Sequence, residues 1–244
     1  MNSYKEQERK QNSWDLPYSW FHDPNTRRGR SYLGRLKLLL EIAGDLACKQ
    51  VLDAGCGDGK LSAECALRGA NVTGVDINPR AIAFAKILSP SSVTYQQSSI
   101  NKLDFPNDFF DITFCIETFE HIPPSHEMEV VKELYRIIKQ DGCLIISVPS
   151  SSVPLRLRPH HYRHFNISLL KVIFSEFFTI DKICGQESSA LFVKIFSQLC
   201  ENKYWKIYPL MRFVNQYVFM KYWNLVPANK SFHIIAILRK KHEK

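Results

Sequence analysis

The stretch Val51-Leu52-Asp53-Ala54-Gly55-Cys56-Gly57-Asp58-Gly59 constrains this chain's fold more than any other. A short apolar run leads into three alternating glycines, and a segment of helical character at 60–68 follows. Glycines in such a strand–turn–helix permit a tight turn and close approach of backbone N–H groups to a ligand. Asp76 closes the next apolar run, 71–76. It lies about 20 residues on, the distance at which an acidic side chain meets a ribose diol in nucleotide-binding α/β folds. The glycine spacing is G-x-G-x-G, not the G-x-G-x-x-G of nicotinamide and flavin sites, which disfavours an oxidoreductase.

The alternation then continues. Residues 31–47 carry Leu33, Leu36 and Leu40 at helical spacing, and Pro79 opens a second helical run that ends near Leu88. Strands are expected at 93–98 and 110–117, an amphipathic helix at 125–139, and a strand after Gly142. A helix at 168–178 and strands at 178–185 and 232–240 complete the pattern. Strands alternating with helices imply a mostly parallel sheet covered on both faces. The domain reading is a loosely ordered arm over 1–30 and one domain over 31–244. That domain carries an aromatic and basic insertion at about 187–231, expected to be helical and to form the acceptor-side lid or a docking surface.

With 244 residues, 45% of them hydrophobic and 23% charged, the chain can bury one sizeable core, and wholesale disorder is excluded. No apolar run reaches the ~20 residues of a membrane span. Seven cysteines without a C-x-x-C pair argue against a disulfide framework or zinc ribbon and for a reducing, cytoplasmic setting. The net charge of +8 is concentrated at the end: residues 200–244 hold nine Lys/Arg and two Asp/Glu, interleaved with Tyr204, Trp205, Tyr208 and Trp223 among other aromatics. Two readings stand for this segment: a solvated basic face over aromatic packing, or peripheral contact with a membrane or another anionic surface.

The pattern D-x-G-x-G-x-G at Asp53–Gly59 resembles motif I of the class I S-adenosylmethionine-dependent methyltransferases, and the resemblance extends over about residues 35–185. It implies a Rossmann-like fold with a mostly parallel seven-stranded sheet, and S-adenosylmethionine as cofactor. By the same resemblance, the backbone at Gly55, Cys56 and Gly57 lies against the methionine portion, Gly59 completes the motif, and Asp53 holds the polar network. Asp76 matches the residue that binds both ribose hydroxyls, and Ile77 the one that packs on adenine. Ser99 and Ile100 stand at the adenine turn, where Ser99 replaces the family's usual carboxylate. Ile116 joins the cofactor set, as does Arg35, at the cofactor's edge in quinone-pathway relatives.

Glu117-Thr118-Phe119-Glu120-His121 is similar to the E-x-x-E-H motif of ubiquinone-pathway O-methyltransferases and of small-RNA 2′-O-methyltransferases. The resemblance makes Glu117, Glu120 and His121 candidates to hold a divalent metal such as magnesium beside the acceptor hydroxyl. Without metal, His121 and Glu120 are the catalytic candidates, with His121 as general base. A structural turn is the third reading. His160, His161 and His164 are further candidates in a stretch, Arg156–Phe165, that resembles one in sugar and natural-product methyltransferases. Its arginines and histidines suit an anionic group, or a solvated basic loop. The function expected is O-methylation of a small-molecule or glycan- or lipid-linked acceptor. The alternatives are metal-assisted RNA 2′-O-methylation and a catalytically inactive binding protein. Nucleic acid is the less favoured partner, because Glu117–Glu120 stands where amino-methylating enzymes carry an Asn-Pro-Pro-Tyr-type motif.

Overall fold

The computed structural model describes residues 16–23, 26–153, 157–188 and 226–241. The first helix, α1 (Arg27–Ala43), is capped by Thr26, whose side chain accepts from Gly29 N, and it begins four residues earlier than the leucine spacing predicts. Then come β1 (Gln50–Ala54), α2 (Lys60–Ala66), β2 (Asn71–Asp76), α3 (Pro79–Leu88) and β3 (Thr94–Gln97). After them follow β4 (Phe110–Ile116), α4 (Glu127–Ile137), β5 (Ile138–Pro149), α5 (Ile167–Phe174), β6 (Phe178–Ser188) and β7 (Ser231–Lys240). Pro79 occupies the first turn of α3, where its missing N–H costs nothing, and Asn78 caps Arg80 N and Ala81 N.

All seven strands join one sheet in the order β3-β2-β1-β4-β5-β7-β6. The pairs among β1 to β5 are parallel, and β7 runs antiparallel to both β5 and β6. Strand alternation sorts the core onto two faces. Leu52, Cys115, Leu144, Ile146, Ile234 and Leu238 face α4 and α5, while Val51, Phe114, Ile145 and Ile235 face α1, α2 and α3. The fifth strand starts at Ile138 rather than after Gly142, because Ile138 pairs with Phe110 and the register shifts between Phe110 and Ile112.

Part of the expected loose arm is docked. Within 16–23, Ser19 N donates to Asp58 Oδ2 at 2.7 Å and Trp20 Nε1 donates to Asp58 O at 2.8 Å. Lys60 Nζ lies 4.5 Å over the Trp20 ring. Residues 1–15 of that arm, Arg156, and 189–225 of the proposed insertion lie outside the described residues. Among the described residues no helix is long and apolar enough to cross a membrane.

Candidate active site

The carboxyl ends of β1, β2 and β4 open onto a cavity of about 600 Å³. At one end the glycine turn is tied to the end of β2. Gly55 N and Cys56 N both donate to Val75 O, at 2.8 and 2.9 Å. Gly57 N donates to Asp76 Oδ2 at 2.9 Å and Asn78 N to Asp76 Oδ1 at 2.8 Å, so the carboxylate is held at a fixed angle on the wall. Gly55 has φ +82°, and a Cβ there would run into the Thr118 side chain. Only glycine lets this turn and the end of β4 close on each other.

Asp53, Gly55, Cys56, Gly57, Asp76, Ile77, Ser99, Ile100, Ile116 and Arg35, the cofactor candidates of the sequence, all line the cavity. Gly59 does not. It holds φ +80° at the start of α2 with Tyr95 packed against it, so its glycine is a packing requirement. Ser98 N donates to Asp76 O at 3.0 Å, which brings the Ser98-Ser99-Ile100 turn beside the ribose-binding candidate. Ile77 presents an apolar surface 40% exposed. Tyr18, Ser19 and Tyr32 also line the cavity, and no sequence pattern announced them.

Burial pushes the Asp53 carboxyl up to about 7 despite a 2.6 Å hydrogen bond from Ser62 Oγ, with Asp76 and Asp58 adding to the rise. Burial also raises Asp76 and Asp58. Among the described residues no cation pairs with Asp53 or Asp76. S-adenosylmethionine carries a sulfonium and an ammonium, the charges that such a cluster lacks, together with a ribose diol for Asp76. The residues present fit that cofactor.

The other end departs from expectation. Glu117 has φ +50° and turns its carboxylate away from a shared Glu–Glu–His site. Its Oε1 accepts from Ser147 Oγ at 2.7 Å, while Oε2 lies 2.9 Å from His233 Nδ1 and 3.6 Å from Arg35 Nη1. Burial alone would raise this carboxyl, but the charges of His233 and Arg35 outweigh it and hold it far below the usual range. Glu120 is buried, does not line the cavity, and has no hydrogen-bond partner for Oε2 among the described residues. Burial, then the Glu117 charge, push its carboxyl well above its ordinary value.

Glu117, Glu120 and His121 therefore do not fit a metal: one carboxylate is already satisfied and the other is buried away from the cavity. Glu120, the other catalytic candidate of the sequence, does not line the cavity. His121 groups instead with His160 and His161, ring nitrogens of the three lying within 4.8 Å of one another. An all-nitrogen set of this kind suits zinc-class ions, not magnesium.

His121 lines the cavity, with Nδ1 2.9 Å from His160 O. A carbonyl only accepts, so Nδ1 carries the proton and Nε2 keeps the basic lone pair. Burial lowers His121, His160 and His164, and takes His161 down to about 3 with help from its neighbours. The loop carrying these histidines is anchored, not loose. Arg163 Nε donates to Glu127 Oε1 at 2.8 Å, Tyr162 N to Glu120 O at 2.9 Å, and Phe165 N to Pro149 O at 2.9 Å.

Comparison with known proteins agrees with this layout. Residues 52–146 match the family model of a methyltransferase domain. The ubiquinone biosynthesis O-methyltransferase of Nitrosomonas europaea is 35% identical over 46% of this chain and 49% of its own length. That of Pseudomonas putida is 41% identical over 44% of this chain and 47% of its own. The chain thus spans about half the length of the curated relatives it matches. A SAM-dependent methyltransferase from Archaeoglobus fulgidus superposes with a TM-score of 0.60 at 22% identity, covering 87% of this chain and 94% of that one. A TehB-like SAM-dependent methyltransferase from Corynebacterium glutamicum gives 0.59 at 14% identity, covering 97% and 99%. These two likenesses concern the fold alone. Motif, strand order and family match converge: the chain carries a methyltransferase domain of the class I S-adenosylmethionine-dependent type.

Proposed function

We propose that the protein transfers a methyl group from S-adenosylmethionine to a hydroxyl oxygen of a small-molecule or glycan- or lipid-linked acceptor, with His121 as the general base. One observation carries this reading: a single cavity joins the glycine turn and Asp76 to an imidazole whose Nδ1 is held by a carbonyl and whose Nε2 has no hydrogen-bond partner among the described residues. When bound, the cofactor supplies a methyl group on a sulfonium, which departs as a neutral thioether. The chain's part is to position, and to remove one proton. Asp76, oriented by two backbone N–H groups, is set to receive a pair of ribose hydroxyls. Asp53 answers the cofactor's positive charge. His121 Nε2 takes the acceptor's proton as the oxygen gains the methyl carbon, and the His160 carbonyl stabilises the imidazolium so formed.

The relatives' name points to hydroxylated quinone precursors as one acceptor class. The family match ends at residue 146, before the histidine loop and β7, so it supports the cofactor chemistry more than the acceptor. The reading is tested by calorimetric titration with S-adenosylhomocysteine and by labelled methyl transfer into extract of the source cells. Protein that binds no S-adenosylhomocysteine, or that binds it and labels nothing, is not this enzyme.

A further inference from the structure

The wall facing the acceptor carries information about what the acceptor must bear, and this step rests on the transfer reading above. Three arginines stand on or beside that wall among the described residues, and two are answered by carboxylates. Arg35 meets Glu117, and Arg163 pairs with Glu127. Arg158 is different. It lines the cavity, is exposed, and its side chain makes no hydrogen bond or salt bridge among the described residues.

Among the described residues no carboxylate at this end is free to neutralise it. Glu117 is shared by Arg35, His233 and Ser147, and Glu120 is sealed beneath the turn. The three acidic residues Asp53, Asp58 and Asp76 belong to the opposite end. Beside Arg158, His160 lines the same cavity with its ring stacked 5.2 Å from that of His121. A guanidinium is a rigid fork matched to two oxygens of one oxyanion, and an adjacent imidazole N–H adds a third donor.

We infer that Arg158, assisted by His160, selects an acceptor that carries a carboxylate or phosphate close to the hydroxyl receiving the methyl group. An exposed cation on the cavity wall that has no partner among the described residues favours this anion and disfavours neutral acceptors of the same shape.

The test uses the full chain, methyl-labelled S-adenosylmethionine and extract of the source cells, with the labelled product fractionated on an anion exchanger at neutral pH. The product should be retained and released by salt. Phosphatase treatment that abolishes retention identifies a phosphate, and retention that survives it identifies a carboxylate. Arg158→Gln should give at least about tenfold less product at limiting extract, as expected for one charged hydrogen-bonding partner. The deficit should shrink at saturating extract, and Arg158→Lys should recover part of it. Affinity for S-adenosylhomocysteine should not change in either variant. A labelled product that flows through uncharged, or equal labelling by Arg158→Gln at limiting extract, overturns the inference and leaves the transfer reading standing. Bound S-adenosylhomocysteine with no labelled product overturns the transfer reading, and the inference with it.

Discussion

The two ends of the cavity are built in opposite ways. At the cofactor end, residues 53–59, 76–78 and 98–100 follow one another along three neighbouring strands, and backbone groups of one turn fix the carboxylate of the next. At the acceptor end, Arg35 of α1, Glu117 after β4, Ser147 of β5 and His233 of β7 meet across nearly 200 residues of chain. Among the described residues, the carboxylates Asp53 and Asp76 of the first have no cation paired with them, and in the second Arg158 is the arginine without a carboxylate. Local hydrogen bonds can build a site that receives any cofactor of one shape. Distant side chains are needed where the partner varies.

The sharpest way to break this division is His121→Ala. Turnover should fall at least about a hundredfold, the lower range for loss of a general base, while S-adenosylhomocysteine affinity stays within about threefold. Chelator should leave wild-type turnover unchanged; loss on chelation, restored by a divalent ion, would move His121 from base to ligand. Since burial lowers this imidazole, activity should rise with pH along a limb below about 6.5 and be flat above it. The hydrogen bond to the His160 carbonyl and the Glu117 charge oppose that lowering, while the charges of His160 and Arg158 deepen it.

The reciprocal change, Asp76→Ala, should weaken S-adenosylhomocysteine binding by about one to two decades, or on the order of 1.5–3 kcal/mol, measured by calorimetry. Undiminished affinity in a folded variant would remove the ribose assignment.

Glu117→Gln leaves Arg35 and His233 without their anion and should cost about 2 kcal/mol by urea titration at pH 7, less than a fully buried pair because the Glu117 side chain is 22% exposed. A carboxyl whose folded value lies below its unfolded one stabilises above the unfolded value, and that stability is lost as pH falls through the folded one. The difference between wild type and variant should therefore shrink below about pH 4.5. A difference constant down to pH 3 would mean that no ion pair is involved.

The smallest effect is expected at Asp53. Its folded-state value of about 7 lies above the ordinary 3.8, so stability without cofactor falls as pH rises from about 4 to about 7. Asp53→Asn should raise the Tm by a few degrees at pH 7.5 while weakening cofactor binding, and do little to the Tm at pH 4. A variant less stable at pH 7.5 would show that the carboxylate is paired before cofactor arrives.

The strand–helix alternation, the sheet's mostly parallel character, the glycine turn and Asp76 were all written in residues within about twenty positions of one another. Periodicity and turn chemistry act over that range, which is why they could be read without coordinates. The fate of Glu117 and Glu120 could not be. Their spacing admits a shared metal, but Glu117 faces an arginine and a histidine that only the closed sheet delivers. Because β7 runs antiparallel, it is the first residues of that strand, not the last, that reach the carboxyl ends of β4 and β5, and His233 pairs opposite Pro149. The docking of Ser19 and Trp20 on Asp58 is of the same kind. The sequence by itself determined the fold and the glycine turn with its neighbouring Asp76, because both depend on local backbone geometry. Tertiary structure alone decided which carboxylates are paired and which arginine has no partner among the described residues, because burial and pairing depend on neighbours that the chain brings from far away.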